Sequence, residues 1–153
     1  MLKAIRDLLS ELSRDRPARR FDADDYRLAA VALLYHVVAI DGSVSDAERS
    51  RLHKLVSTYF SLDDAETDAL LSAAEEADNQ AVDLFGFTSV LKRALSEEER
   101  GKIVEMMWQL TYADGALHEF EDNVLWRVAE LLGISSRERI RLKKAAQDKI
   151  APA

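Results

Sequence analysis

Apolar residues return every three or four positions along most of this chain, and no segment alternates apolar and polar residues one by one. That pattern predicts eight helices and no strand. The first covers about residues 2–14, with Leu2, Ile5, Leu8, Leu9 and Leu12 on one face. The polar, proline-broken stretch RDRPARR follows it as a linker. The second helix runs from about Ala23 to Ile40. It holds the longest apolar run, Leu28 to Ile40, broken only by His36 and too short to span a bilayer. It therefore reads as a helix buried on most sides. The third follows Ser45 and reaches about Phe60, and the fourth opens on the acid-rich turn after Leu62. Asn79 is expected to cap the fifth, which runs through Ala81–Leu95, with Gly86 a weak point inside it. Ser96 with Glu99 forms a capping-box pattern that opens the sixth, which ends at Gly115. The seventh spans about His118–Leu132 and stops at Gly133, and the eighth runs from near Ser135 to about Ile150.

A repeat organises these elements. When Asp41 is placed on Asp114, Gly42 meets Gly115, Val44 meets Leu117, Asp46 meets Glu119 and Glu48 meets Glu121. Leu52 then meets Leu125, and Leu33-Leu34-Tyr35 meets Met106-Met107-Trp108. One residue of slippage puts Leu62 on Ile134 and Glu66 on Glu138. Two copies are too few for a solenoid. The expected fold is all-α: a compact bundle of about eight helices with an internal two-fold-like repeat. Residues 1–20 form an N-terminal amphipathic helix and basic linker, and residues 21–153 form the helical domain.

Composition narrows the chemistry. The chain has 153 residues, enough for one domain with a real core, and no cysteine, which excludes disulfides and thiolate metal sites. The net charge of −7 argues against a nucleic-acid binder. Both ends are basic: residues 1–20 carry six Lys/Arg against three Asp/Glu, and residues 135–153 six against two. The middle is therefore strongly acidic, which suits a cation, a basic partner, or the chain's own basic ends. No secretory signal is visible in MLKAIRDLLSEL, whose charges interrupt any apolar run.

The two Asp-Gly pairs are the features that invite a ligand. Glycine past a helix end satisfies the last carbonyls in the left-handed conformation. Ser45 with Glu48 is a capping box by pattern, so the first copy is explicable without a ligand. The second copy fits less well, because His118 stands at the capping position. Asp41 and Asp114 also sit where a helix dipole presents its negative end, which disfavours a carboxylate by up to about 1 kcal/mol. A cation reverses that sign. Aspartate, loop carbonyls and a glutamate from the next helix make an oxygen-only donor set. That set suits Ca²⁺ or Mg²⁺ ahead of Mn²⁺ or Zn²⁺. The aspartate and glutamate of each copy are Asp41 with Glu48 and Asp114 with Glu121.

In these motifs the chain resembles the tellurite-resistance TerB family, or a TerB-like domain. The resemblance rests on Asp41-Gly42-Ser43-Val44-Ser45-Asp46-Ala47-Glu48, on Asp114-Gly115-Ala116-Leu117-His118-Glu119-Phe120-Glu121, and on the VAELLGIS that follows the second copy. It covers roughly residues 24–150. It implies an all-helical bacterial stress protein, cytoplasmic or peripheral to the inner membrane. It also implies a divalent-cation site on the acidic loop residues Asp41, Glu48, Asp114 and Glu121, with Asp46 and Glu119 second, and action through protein partners in tellurite and chemical-stress responses. Similar domains occur fused to J-type co-chaperones. The main reading is thus a non-enzymatic cation-binding module. The alternative is a metal-free helical scaffold or co-chaperone-type interaction domain.

The remaining candidates have blander readings. His36 and His53 read as core histidines, and Trp108, Trp126, Tyr35 and Tyr112 as core aromatics. Glu75-Glu76 and Glu97-Glu98-Glu99 read as solvated helix faces. No phosphate-binding loop, nucleophile elbow or dinucleotide fingerprint occurs, so no enzyme is expected. The first helix with Arg14, Arg16, Arg19 and Arg20 suits its own bundle, a partner or an anionic membrane surface.

Overall fold

In the computed structural model, which describes residues 5, 25–40, 42, 44–112 and 119–150 (the side chains of 119–121 and 150 apart), one helix runs through the middle of the molecule. This is α1, Tyr26–Val38. Its residues from Leu28 to Tyr35 are all buried, and so is Val37. A helix that is apolar on every side has to be surrounded, and α1 is: it packs most extensively on α3 (Asp64–Gln80), then on α4 (Phe85–Ala94) and α5 (Glu97–Tyr112). The helix α2 (Asp46–Phe60) lies against α3 and α1. The helices α6 (Glu119–Leu131) and α7 (Ser136–Ile150) close the other side, with α7 packed mainly on α5. The fold is an all-α bundle, with seven helices and no strand among the described residues. The first expected helix lies outside them except for Ile5, which is helical and exposed.

Capping chemistry sets the boundaries. Asp25 accepts a hydrogen bond from Arg27 N at 2.8 Å and starts α1. Capping boxes open α2 (Ser45 with Glu48), α3 (Asp63 with Glu66) and α5 (Ser96 with Glu99). The start of α4 corrects the sequence reading. Asn79 does not cap it, because α3 continues through Asn79 to Gln80. The helix begins at Phe85 instead, whose N–H donates to Asp83 Oδ1 at 2.9 Å. Asn and Asp cap equally well. Asp83 stands next to the apolar run that α4 buries, whereas Asn79 continues the backbone bonding of α3.

Two of the turns share one device. After α6, Ile134 N donates to Ala129 O at 3.0 Å and Gly133 N to Glu130 O at 3.0 Å. Gly133 has φ +76°. After α2, Leu62 N donates to Ser57 O at 3.0 Å, and Ser61 takes the left-handed conformation at φ 55°. Both close the helix with the bond that skips back five residues and then fold an apolar side chain inward. At the α6 end, Arg100 Nη1 donates to Leu132 O at 2.7 Å, placing a cation where the helix dipole is negative. Among the described residues no helix is long and apolar enough to cross a membrane.

Candidate functional site

The first Asp-Gly loop joins α1 to α2. Ala39 N donates to Tyr35 O and Gly42 N to Ala39 O, each at 2.9 Å, so the chain turns immediately after α1. Gly42 has φ +96°, a conformation that glycine adopts without strain. Val44 packs against the core and fixes the approach to α2. Glu48 N then donates to Ser45 Oγ at 3.1 Å, while Ser45 N donates to Glu48 Oε1 at 3.1 Å. The Glu48 carboxylate is thereby drawn back to Ser45, at the start of α2. Asp46 lies exposed in the first turn of α2, where it complements the helix N-terminus. Asp41 lies outside the described residues, as do Asp114, His118 and the side chains of Glu119 and Glu121. Of the six expected metal residues, only Glu48 and Asp46 therefore have a described side-chain position. Among the described residues no group of three or more His, Asp or Glu is placed to hold a metal ion.

Between α2 and α3 lies a cleft of 480 Å³ lined by Tyr35, Arg49, His53, Asp68, Ser72 and Glu75. Tyr35 OH donates to Glu75 Oε1 at 3.0 Å, and Arg49 stands 3.6 Å from the same oxygen. Burial, and then the hydrogen bond to Glu75, raise the Tyr35 phenol above its ordinary value, so it remains a donor at neutral pH. His53 Nε2 lies 3.2 Å from Asp68 and 4.0 Å from Asp64. His36 Nδ1 lies 2.8 Å from Asp78. All these contacts tie α1 and α2 to the acidic helix α3.

A residue-family profile decides the affiliation: the family described as tellurite resistance protein TerB matches residues 27–144, more than half the chain. The chain belongs to the TerB family. No curated protein and no solved structure gives a match. The TerB domain so defined begins inside α1 and ends inside α7, and thus takes in both Asp-Gly loops.

Several side chains of this TerB domain do more than their sequence suggested. Glu75 is the acceptor for Tyr35 rather than a free surface charge. A trace of this was present in the pattern, since Glu75 follows Ala74 on the edge of the buried stripe Leu70–Ala74. His36 and His53 are half-buried with aspartate partners, not enclosed in the core. Asp122 is the largest omission. Trp108 Nε1 donates to its Oδ1 at 3.4 Å, Trp126 Nε1 to its Oδ2 at 3.0 Å, and Lys143 Nζ lies 3.1 Å from Oδ1. Among the described residues no buried side-chain nitrogen or oxygen lacks a hydrogen-bond partner.

Proposed function

We propose that this TerB-family chain is a non-enzymatic module that binds a divalent cation at its acidic Asp-Gly loops and acts through protein partners in a tellurite or chemical-stress response. The carrying observation is the placement of Glu48. Its carboxylate reaches back to Ser45 N at 3.1 Å, four positions along the chain from Asp41. An oxygen-only donor set of this kind suits Ca²⁺ or Mg²⁺ ahead of Mn²⁺ or Zn²⁺. Asp41 and Asp114 would supply ligands, Glu48 and Glu121 would close each loop, and Asp46 and Glu119 would add nearby negative charge. Cation binding would relieve the repulsion among these acids and fix two loops at the same time. The partners in this reading are proteins, not nucleic acid, and the setting is the bacterial cytoplasm or the inner-membrane surface.

The same capping box supports a second reading, a metal-free scaffold, because a Glu48 bonded to Ser45 N already has a structural role. Titration calorimetry and thermal shift with Ca²⁺, Mg²⁺, Mn²⁺ and Zn²⁺ separate the two. The proposal expects binding below millimolar concentration and a raised melting temperature. Asp41→Asn with Asp114→Asn should abolish both effects. A protein indifferent to all four ions in both measurements leaves only the scaffold.

A further inference from the structure

A second concavity, of 570 Å³, opens between α1, α3 and α4 on an apolar lining: Leu28, Ala29, Ala77, Val82, Phe87 and Val90. Val82 is fully exposed at its edge, and Phe85 beside it is 63 % exposed. Gly86, in the first turn of α4, also lines it. A side chain at Gly86 would meet nothing within 4 Å. Gly86 has no positive φ to require glycine, and glycine favours a helix less than alanine does. Neither backbone geometry nor packing among the described residues therefore accounts for it. A helix lying in the groove accounts for it, because glycine allows two backbones to approach closely.

We infer that residues 2–12 of this chain dock as a helix in the groove between α1, α3 and α4. The stripe Leu2, Ile5, Leu8, Leu9 and Leu12 is the apolar face that such a groove needs. Ile5, the one described residue of the segment, is 55 % exposed and so has apolar surface still to bury. Chain length permits the docking. Residues 13–24 connect the segment to Asp25, and twelve residues reach up to about 40 Å. The groove begins close to that anchor, at Leu28 and Ala29 in the first turn of α1. Eleven helical residues are about 16 Å long, a span of three turns. Charge agrees as well. The segment itself is neutral, with Lys3 and Arg6 against Asp7 and Glu11, but Arg14, Arg16, Arg19 and Arg20 follow it, whereas α3, one wall of the groove, carries six Asp/Glu and no Lys/Arg. Steering between the two is therefore attractive.

The absence of cysteine makes the test clean. A single nitroxide introduced through Gln80→Cys stands on the groove wall of the full-length chain. The methyl signals of Ile5, Leu8, Leu9 and Leu12 should then lose most of their intensity, equally at low and high protein concentration. Gly86→Trp, which fills the open space, should restore those signals while the core methyls of Leu33 and Leu91 keep their positions. Unbroadened signals from the segment in the dilute chain overturn the inference. So does broadening that disappears on dilution, which assigns the groove to a second copy. Loss of the segment's signals only on adding phosphatidylglycerol vesicles, with no effect of the nitroxide, assigns the helix to a membrane and overturns it too.

Discussion

The α1–α2–α3 and α5–α6–α7 units meet the same packing demand with their acids and bases exchanged. In the register of the two Asp-Gly loops, Tyr35 corresponds to Trp108, Leu52 to Leu125, Arg49 to Asp122 and His53 to Trp126. With the one-residue slip, Ser61 corresponds to Gly133, Leu70 to Leu142 and Ala74 to Ala146. The aliphatic pairs are buried in both units, and so are Tyr35 and Trp108. In the first unit, the aromatic on α1 and the base Arg49 on α2 converge on an acid of the third helix, Glu75. In the second, the aromatic on α5 and the base Lys143 on α7 converge on an acid of the middle helix, Asp122. A buried aromatic N–H or O–H needs an acceptor, and a carboxylate so placed needs a cation. Either neighbouring helix can supply each of them. The apolar positions have no such freedom, because close packing fixes both volume and direction. The exchange also explains the cleft. Trp126 packs edge-on against Trp108, with ring centroids 5.6 Å apart, under Arg139 and Lys143. His53 stands at the matching place in the first unit, and the space beside it is open.

The sharpest way to break this comparison is to remove the second unit's aromatic. Trp108 is fully buried. Trp108→Ala should cost about 3–5 kcal/mol, as large-to-small changes of core aromatics do, and urea denaturation reads it as a lower midpoint. Tyr35→Ala, at the rim of the open cleft, should cost less. Equal losses would mean that the cleft side is packed as tightly as the tryptophan side.

The acid hubs come next. Asp122→Ala leaves two indole N–H groups and Lys143 without their shared acceptor. An orphaned buried donor costs about 1–3 kcal/mol. Glu75→Ala should cost less than this, because the Tyr35 hydroxyl it leaves borders the open cleft, where water can replace the acceptor, and the half-exposed Arg49 makes a pair of the kind that contributes about 0–1 kcal/mol. Asp122→Asn, which keeps an acceptor oxygen, should fall between the two. If Glu75→Ala proves the more damaging, the first unit is the one held by its polar hub, and the contrast drawn between them is reversed.

Much of this was legible from residue order, and the failures have two causes. The burial of α1 followed from an apolar run with no polar face. The boxes at Ser45 and Ser96 were readable because both partners lie three residues apart. The TerB resemblance came from the loops themselves, and the family match covers both of them. Partners from distant helices were not readable. Glu75 and Asp78 each pair with a side chain on α1, forty or more positions away, and the local pattern gives no more than the place of Glu75 at the edge of a buried stripe, without naming its partner. The start of α4 failed for a different reason, since two eligible residues stood four apart, and α3 runs on through Asn79 while Asp83 holds Phe85 N. Of the candidate metal residues, the role of Glu48 as a box partner was legible, whereas any joint role with Asp41 depends on a position outside the described residues.

The smallest effect concerns two glutamates held by different forces. Glu66 closes its box on Asp63 N at 3.2 Å, but its counterpart Glu138 turns to Arg141, whose Nε donates to it at 3.0 Å. Hydrogen bonding to Arg141, followed by the charge of Arg141, lowers the Glu138 pKa below the ordinary glutamate value. Glu99 is lowered too, but mainly by the backbone N–H of Ser96. A lowered folded value means that each glutamate contributes stability above the unfolded pKa, near about 4.3, and loses it as pH falls through the folded value. Salt separates the causes. At about 1 M ionic strength the Debye length falls to about 3 Å, which weakens an exposed ion pair but leaves a direct backbone hydrogen bond largely in place. Carboxyl NMR titrations at low and high salt should show Glu138 moving up towards its ordinary value while Glu99 stays low. If both move together, the box at Ser96 is an electrostatic device like the Arg141 pair, and the different treatment of Glu66 and Glu138 in the two units has no energetic consequence.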